Sequence, residues 1–518
     1  MTSCGNPAAE IDALMTRRPK FDHSKECVKC KGRVGNIVIR HVVYCRWAKP
    51  SSKSVTHTYR STRECFLPLV NTKFRKILQP SIKEKLDGPR QKSLKASGNL
   101  TMGLSGGLGS TVLMDLVAKN YFRSSGPEDN KGGKDHPRKL NEKVWKAGYV
   151  CYVEVSDAFP GMRDSTADIR AIVESYNVFE FVPLKLEDAF DPSWWDRVGG
   201  VPLQSDLGFK PRGDNAQEDL LLCDIPSSNF STPLDRLRAY LSAMPTQTAL
   251  LSSVQALIRL LLLYSARSTQ SSHLLLGTSL TSLSINLISG IAQGGGFAVR
   301  EEVDEEWHTG TEMTIRVIRP LRDLTMKECT AWAWWNHLTV VGETPIPSAK
   351  QGIGSLTKDF IVGLETDYPS TVSTIARTCS KLAPKDKATG VCALCQRPTQ
   401  FRAQQWKSQI SILSYSNSKE STDRISLAPS LCYACHTSLT GRNSRSVNRS
   451  VKSHDDITSD VPIPLPVWVQ SHASMQSNSR GSGTSLIDDA STDIMKVRKM
   501  NREEMKEQIG SYLLDDDL

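Results

Sequence analysis

Asn99-Leu100-Thr101-Met102-Gly103-Leu104-Ser105-Gly106-Gly107-Leu108-Gly109-Ser110-Thr111 passes from a short apolar run into a loop of serines and glycines, and Thr111 to Lys119 continues with apolar residues at helical spacing. The pattern predicts strand, glycine loop and helix, the opening of a doubly wound α/β domain. Glycines in such a loop let backbone N–H groups close on a phosphate, and the helix N-terminus adds positive potential. Ser105, Gly106, Gly107, Ser110 and Thr111 are therefore candidate nucleotide-binding residues, together with Gly277 at the end of a later predicted strand.

The alternation continues on either side of a polar loop. Tyr149 to Val155 reads as a strand, Asp164 to Tyr176 as an amphipathic helix and Val178 to Leu184 as a strand. Glu187 to Pro233 reads as irregular. A helix near Ser252 to Ala266, a strand His273 to Gly277, a helix from Ser279 to about Ile291, a strand Ile315 to Ile318 and a helix Thr325 to His337 complete the domain, placed at 98–345. Before it lie a flexible N-terminus (1–20), a basic cysteine-rich module (21–78) and a linker (79–97). After it come a connecting segment (346–384), a second cysteine module (385–440), a polar tail (441–490) expected to be disordered and a C-terminal helix (491–518). Within the tail, Leu465-Pro466-Val467-Trp468-Val469 is an apolar patch expected to dock on another part of the protein.

At 518 residues, 39% hydrophobic and 23% charged, the chain is long enough for several folded units. Its net charge of +10 is concentrated: Arg17 to Lys95 holds 21 Lys and Arg against 5 Asp and Glu, and the rest of the chain 44 against 50. Such a segment favours a phosphate-rich partner, and Lys29, Lys31, Arg33 and Arg40 are the candidate RNA contacts. The longest apolar stretch, around Ala256 to Ala266, is interrupted by Arg259 and falls short of the ~18–20 residues of a membrane span, so no membrane is expected. Met1 to Arg18 lacks the apolar centre of a secretory signal, which predicts the reducing cytoplasm and a role other than disulfides for the cysteines.

Cys392, Cys395, Cys432 and Cys435 form two CxxC pairs separated by 36 residues, the spacing of a closed four-thiolate zinc site. With no position left for water, such a site serves folding. In the front module Cys27 and Cys30 form one CxxC pair, but Cys45 and Cys65 have 19 residues between them; removing 47–63 would leave Cys45-Arg46-Glu64-Cys65. Residues 47–63 are therefore read as an insertion, and four-thiolate binding survives it because loop-closure cost grows slowly with length. Cysteine spacing alone leaves an iron–sulfur cluster open in place of zinc.

The 105–111 loop resembles the SGGxDS loop of PP-loop ATP pyrophosphatases. Together with Cys27 to Tyr44, Cys65-Phe66-Leu67-Pro68-Leu69 and Cys432-Tyr433-Ala434-Cys435-His436-Thr437, it resembles the second subunit of the cytoplasmic tRNA 2-thiolation complex. The resemblance implies a PP-loop α/β domain flanked by N- and C-terminal zinc modules, and a heterodimer with a catalytic PP-loop thiolation subunit. It also implies tRNA as partner, with sulfur moving from a thiocarboxylated ubiquitin-related modifier to the wobble uridine of lysine, glutamine and glutamate tRNAs, and a link to protein urmylation.

This chain departs from the catalytic pattern. Gly109 stands where the family has an aspartate that handles pyrophosphate and magnesium, no cysteine lies between Ser252 and Gly277, and Thr278 to Leu283 lacks the acidic pair of the second nucleotide motif. Cys151 and Cys329 read as core residues, and Cys223 stands beside Asp224, which disfavours a thiolate. No residue is assigned to catalysis; a scaffold and tRNA-binding role is expected, with ATP used at the level of the complex and its presence in this subunit left open. The alternatives are an independently active PP-loop sulfurtransferase and a zinc-stabilised RNA-binding protein outside thiolation.

Overall fold

The computed structural model describes residues 27–28, 35, 37–39, 42–45, 65–82, 98–122, 144–203, 205–211, 220–226, 230–308, 313–342, 346, 352–379, 381–382, 390–400, 414–416, 426–441, 461–473, 496–498 and 503. They fall into two units, Met1–Lys73 and Phe74–Leu518. In the first, β1 (Ile37–Ile39) and β2 (Val42–Tyr44) pair antiparallel with Ile37 opposite Tyr44. A helix, α1 (Phe66–Ile82), begins directly after Cys65 and buries Phe66 and Val70.

In the second unit the expected alternation is present. β3 (Asn99–Gly103), α2 (Leu108–Val117), β4 (Gly148–Glu154), α3 (Thr166–Glu174) and β5 (Glu180–Lys185) follow in order. α4 (Pro192–Arg197), β6 (Leu207–Pro211), β7 (Leu220–Asp224) and α5 (Pro233–Ser242) occupy the stretch read as irregular and its end. α6 (Gln247–Ser268), β8 (Ser271–Leu276), α7 (Leu280–Ala292), β9 (Asp304–His308), β10 (Thr314–Ile318) and α8 (Met326–Trp335) complete the sheet and its cover. The six strands lie in the order β5-β4-β3-β8-β10-β9, parallel except for β9, which is antiparallel to β10. From β3 the chain builds outward through β4 and β5, then crosses to the other side of β3 for β8. The sheet thus has a topological switch point between β3 and β8, where ligands of open α/β sheets bind.

The central strands are buried on both faces, which accounts for their continuous apolar character: Leu100, Met102, Val150, Leu274, Leu275, Ile315 and Val317 are all core residues. α6 spans 22 residues and its Thr246 cap accepts from Ala249 N–H at 3.1 Å. By length and composition this helix is apolar enough to cross a membrane, which corrects the shorter stretch expected from sequence; the apolar run continues on both sides of Arg259. It is a core helix here, with Leu257, Leu260, Leu261 and Leu263 buried and Arg259 paired with the buried Glu305 of β9.

The segment read as a connection consists of two helices, α9 (Ile353–Asp367) and α10 (Pro369–Cys379), packed on α7. Ile361, Val372, Ala376 and Cys379 join Leu280, Leu283 and Leu287 in one apolar cluster. The chain continues through β11 (Gly390–Val391), β12 (Pro398–Thr399), β13 (Ser414–Ser416) and α11 (Tyr433–Thr440) to β14 (Ile463–Pro464) and β15 (Lys496–Arg498). Within 491–518, where a C-terminal helix is expected, residues 496–498 form β15 antiparallel to β13 and Glu503 is helical, the other positions lying outside the described residues.

The apolar 465–469 patch docks within the second unit. β14 adds to the β6–β7 hairpin, Leu465, Val467 and Val469 are fully buried, and Trp468 stacks on Tyr264 of α6 while its indole N–H donates to Leu394 O at 3.1 Å. Trp468→Ala is expected to cost about 4 kcal/mol, a truncated core aromatic plus an orphaned carbonyl, read as a lower urea midpoint of unfolding at an unchanged slope.

Candidate nucleotide and metal sites

The glycine loop lies at the carboxyl end of β3, at the switch point. Leu104 N–H donates to Cys151 O at 2.9 Å, holding the loop's entry to the neighbouring strand. Gly106 takes φ +75°, a conformation that suits glycine, and its carbonyl accepts from Gly342 N–H at 3.1 Å. Gly107 caps α2 without a side chain of its own. Ser110 Oγ and Thr111 Oγ1 both donate to Gly107 O, at 2.9 and 3.1 Å, and Ser105 Oγ lies 3.2 Å from Ser110 Oγ. The serines therefore bond largely within the loop.

Gly109 and Gly277 meet backbone to backbone. A Cβ on Gly109 would fall well inside contact with the Gly277 carbonyl oxygen, and a Cβ on Gly277 would lie 2.6 Å from the carbonyl carbon of Gly109. The loop is thus seated on the end of β8 with no room for a side chain at either position. Beyond Gly277, hydroxyls do the capping: Ser279 Oγ accepts from Ser282 N–H at 3.2 Å, and Thr281 Oγ1 accepts from Met326 N–H at 3.2 Å.

These elements enclose a cavity of about 1010 Å³. Of the residues expected at a nucleotide site, Ser105, Gly107, Ser110 and Gly277 line it; Gly106 turns the chain behind it and Thr111 is buried in α2. Cys151 also lines it, but burial pushes its thiol up to about 12, so it stays protonated at neutral pH. Cys329 is buried and Cys223 half-buried. Sequence reading missed Lys358 and Glu365 of α9 and Lys327 of α8. The signal for α9 was Ile353, Thr357, Ile361 and Glu365 at four-residue steps, but two of the four are polar, which hides the periodicity.

The four rear cysteines converge, their sulfurs all within 4.8 Å of one another. Cys432 N–H donates to Cys392 Sγ at 3.3 Å and Cys435 N–H to Cys432 Sγ at 3.4 Å, while Cys395 Sγ and Cys432 Sγ are 3.8 Å apart. Hydrogen bonds from Cys392, Cys432 and Cys435, helped by Arg397, hold the Cys395 thiol well below its ordinary value. Hydrogen bonding to the other cysteines pushes Cys432 and Cys435 the opposite way, so the cluster favours one thiolate at Cys395; four converging sulfurs that also accept backbone N–H could bind a metal ion. The first knuckle is fixed residue by residue: Leu394 O accepts from Trp468, Cys395 O from Arg259 Nη1 at 2.8 Å, Gln396 Oε1 from Trp307 Nε1 at 3.1 Å, and Arg397 pairs with Glu302. Cys392 to Cys395 share one apolar core with α6 and the sheet.

In the first unit Cys27, Cys45 and Cys65 are buried and their ligand atoms also lie within 4.8 Å of one another, so the chain closes a cluster across 47–63. Cys30, Lys29, Lys31, Arg33 and Arg40 lie outside the described residues.

A glycine loop at the switch point of a mainly parallel sheet gives the chain a doubly wound α/β fold. Comparison narrows this. The family model described as Cytoplasmic tRNA 2-thiolation protein 2 matches residues 352–437, which span α9, α10 and all four rear cysteines. Cytoplasmic tRNA 2-thiolation protein 2 of Danio rerio is 26% identical over 420 residues, covering 74% of each chain. Its Homo sapiens counterpart is 35% identical over 153 residues, covering 27% of this chain and 28% of its own. Among solved structures, the U34-tRNA thiolase NcsA from Methanococcus maripaludis, with its 4Fe-4S cluster, is 16% identical and covers 70% of this chain and 89% of its own at a TM-score of 0.42. The chain is similar to the cytoplasmic tRNA 2-thiolation protein 2 family, the resemblance its cysteine and glycine motifs carried.

Proposed function

We propose that this chain serves the 2-thiolation of wobble uridine in cytoplasmic tRNA as a required, non-catalytic subunit, paired with a catalytic PP-loop subunit. The carrying observation is the Gly109–Gly277 contact. Activating the uridine oxygen with ATP calls for a carboxylate to hold magnesium and pyrophosphate, and here the backbone of β8's end occupies the place of that side chain. The cavity survives without this acid, and Cys151, the one thiol among its described lining residues, is kept protonated by burial, so the partner subunit supplies adenylation and sulfur transfer. Sulfur comes from a thiocarboxylated ubiquitin-related modifier, and the tRNAs are those for lysine, glutamate and glutamine.

In this reading the α/β domain presents a dimer face and the basic front module, through Lys29, Lys31, Arg33 and Arg40, holds tRNA phosphates. Structural zinc is held by Cys392, Cys395, Cys432 and Cys435, and by Cys27, Cys30, Cys45 and Cys65. The complex works in the cytoplasm.

Deleting the gene tests the proposal. Wobble 2-thiouridine, read by retardation of lysine, glutamate and glutamine tRNAs on mercury-containing gels, is expected to disappear and to return with the intact chain. Retardation that persists in the deletion strain rules the function out.

A further inference from the structure

We propose that the outward face of α8 is a stacking platform for single-stranded RNA, on which Trp334 holds the plane of an unpaired base while Lys327 and Lys358 hold flanking phosphates. This rests on the reading of tRNA as partner and adds a contact surface outside the basic front module. Lys327, Thr330 and Trp334 are the exposed residues of α8, three and four positions apart and so in one line along the helix, and the exposed His337 follows just beyond its end. Trp334 is 69% exposed. An indole left in water forfeits the burial that usually draws tryptophan inside, and its flat face is open to a ring of matching shape.

The helix is fixed from beneath. Trp332 is buried and its Nε1 donates to Asp115 Oδ2 of α2 at 2.8 Å, and Trp335 is buried as well, so neighbouring rings anchor the inner face of α8. The one acid of α8, Glu328, is also buried, and its carboxylate accepts from Thr325 N–H at 2.8 Å at the helix start. The face turned to solvent therefore carries a cation, a hydroxyl and an aromatic ring, and no carboxylate of α8.

Charge and shape together select the occupant. Lys327 and Thr330 line the switch-point cavity, and the exposed Lys358 of α9 lines it too, so two lysines gather beside one end of the stripe. Trp334 stands seven positions after Lys327, about 10 Å further along the helix. Protein interfaces are poor in lysine and gather their apolar groups at a core, whereas α8 exposes a single ring between lysine and histidine. Single-stranded nucleic acid matches that order, because every base has a face to stack and every linkage a phosphate to pair. Paired bases, already stacked on their neighbours, do not fit, and the loop that holds the wobble uridine is the one the proposed function brings to this chain.

Fluorescence anisotropy of the full chain with a fluorescein-labelled anticodon stem–loop of lysine tRNA tests this. Trp334→Ala is expected to weaken binding about tenfold at an unchanged urea midpoint, and Trp334→Phe to recover most of the loss, since a smaller ring still stacks. Lys327→Met is expected to lower the slope of log affinity against log salt by about 0.7, the value of one phosphate contact to a single strand. No saturable binding, or affinity indifferent to Trp334→Ala, overturns the proposal. Equal weakening of a fully paired RNA duplex overturns it as well, because no base is then being stacked. Loss of co-purification with the catalytic subunit in Trp334→Ala, at unchanged RNA affinity, would make the face a protein interface instead. If RNA affinity is unchanged while deletion still abolishes wobble thiolation, the platform alone falls. Retardation that persists in the deletion strain, with stem–loop binding still lost in Trp334→Ala, would remove the thiolation role and leave the platform standing.

Discussion

Cys432→Ser is expected to unfold residues 74–518 as a unit and not to release a separate cysteine module. A closed four-thiolate zinc site contributes on the order of 10 kcal/mol or more to folding, comparable to the whole stability of a typical domain. Local loss of the site would be tolerable if the knuckle were a detached appendage. It is not: Leu394, Cys395, Gln396 and Arg397 are each held by a side chain from another element, and Cys392 to Cys395 lie in the same apolar core as Leu260, Leu261 and Trp468.

Opening the site also exposes a buried ionic network to rearrangement. Arg259 pairs with Glu305, and Arg319 and Arg397 both pair with Glu302. Removing partners from buried ions costs about 3–5 kcal/mol each, so the defect spreads from the cysteines to the sheet edge at β9. The expected measurements are a zinc content lower by one per chain and loss of the cooperative thermal transition of the intact protein. Retention of that transition at its original midpoint, with the metal gone, would show the site to be dispensable for folding.

What the sequence made legible was local. β3, the loop and the start of α2 follow from thirteen consecutive residues, and the convergence of the four rear cysteines follows from two CxxC spacings, because each signal sits within one or two turns of chain. What it hid was set by partners far away. The β6–β7 hairpin is completed by β14, with Phe209 opposite Ile463, so no local alternation announces it. α9 turns Thr357 and Glu365 inward, one bonding its own helix and the other Thr281, and a buried polar residue with a distant partner reads as surface until the fold supplies that partner. Cys45 and Cys65 look mismatched along the chain, yet meet Cys27 in one cluster.

Gly109→Asp is expected to destabilise the protein and to restore no ATP chemistry. From sequence alone Gly109 is a missing charge, and putting the acid back is the obvious repair. The structure gives the position a different meaning, because the Cβ itself would collide with the carbonyl oxygen of Gly277 before any carboxylate could be placed. Backbone on both sides cannot yield as a flexible side chain would, so α2 must move off β8, at a cost of about 3 kcal/mol by the measure of overpacked interiors. Gly109→Ala should show most of this loss without any charge, which separates steric from electrostatic causes. Gly290, inside α7 with nothing within 4 Å of its absent Cβ, serves as the control, and alanine there should stabilise by about 0.5–1 kcal/mol through helix propensity. Urea unfolding of the three variants, beside an assay for pyrophosphate release from ATP, decides between the meanings. Pyrophosphate release by Gly109→Asp at unchanged stability would show that the loop is an active site short of one residue. Destabilisation by both Gly109 variants, with release still at background, would show that losing the acid let the loop settle onto the sheet, where it now props the cavity of a subunit that leaves the chemistry to its partner.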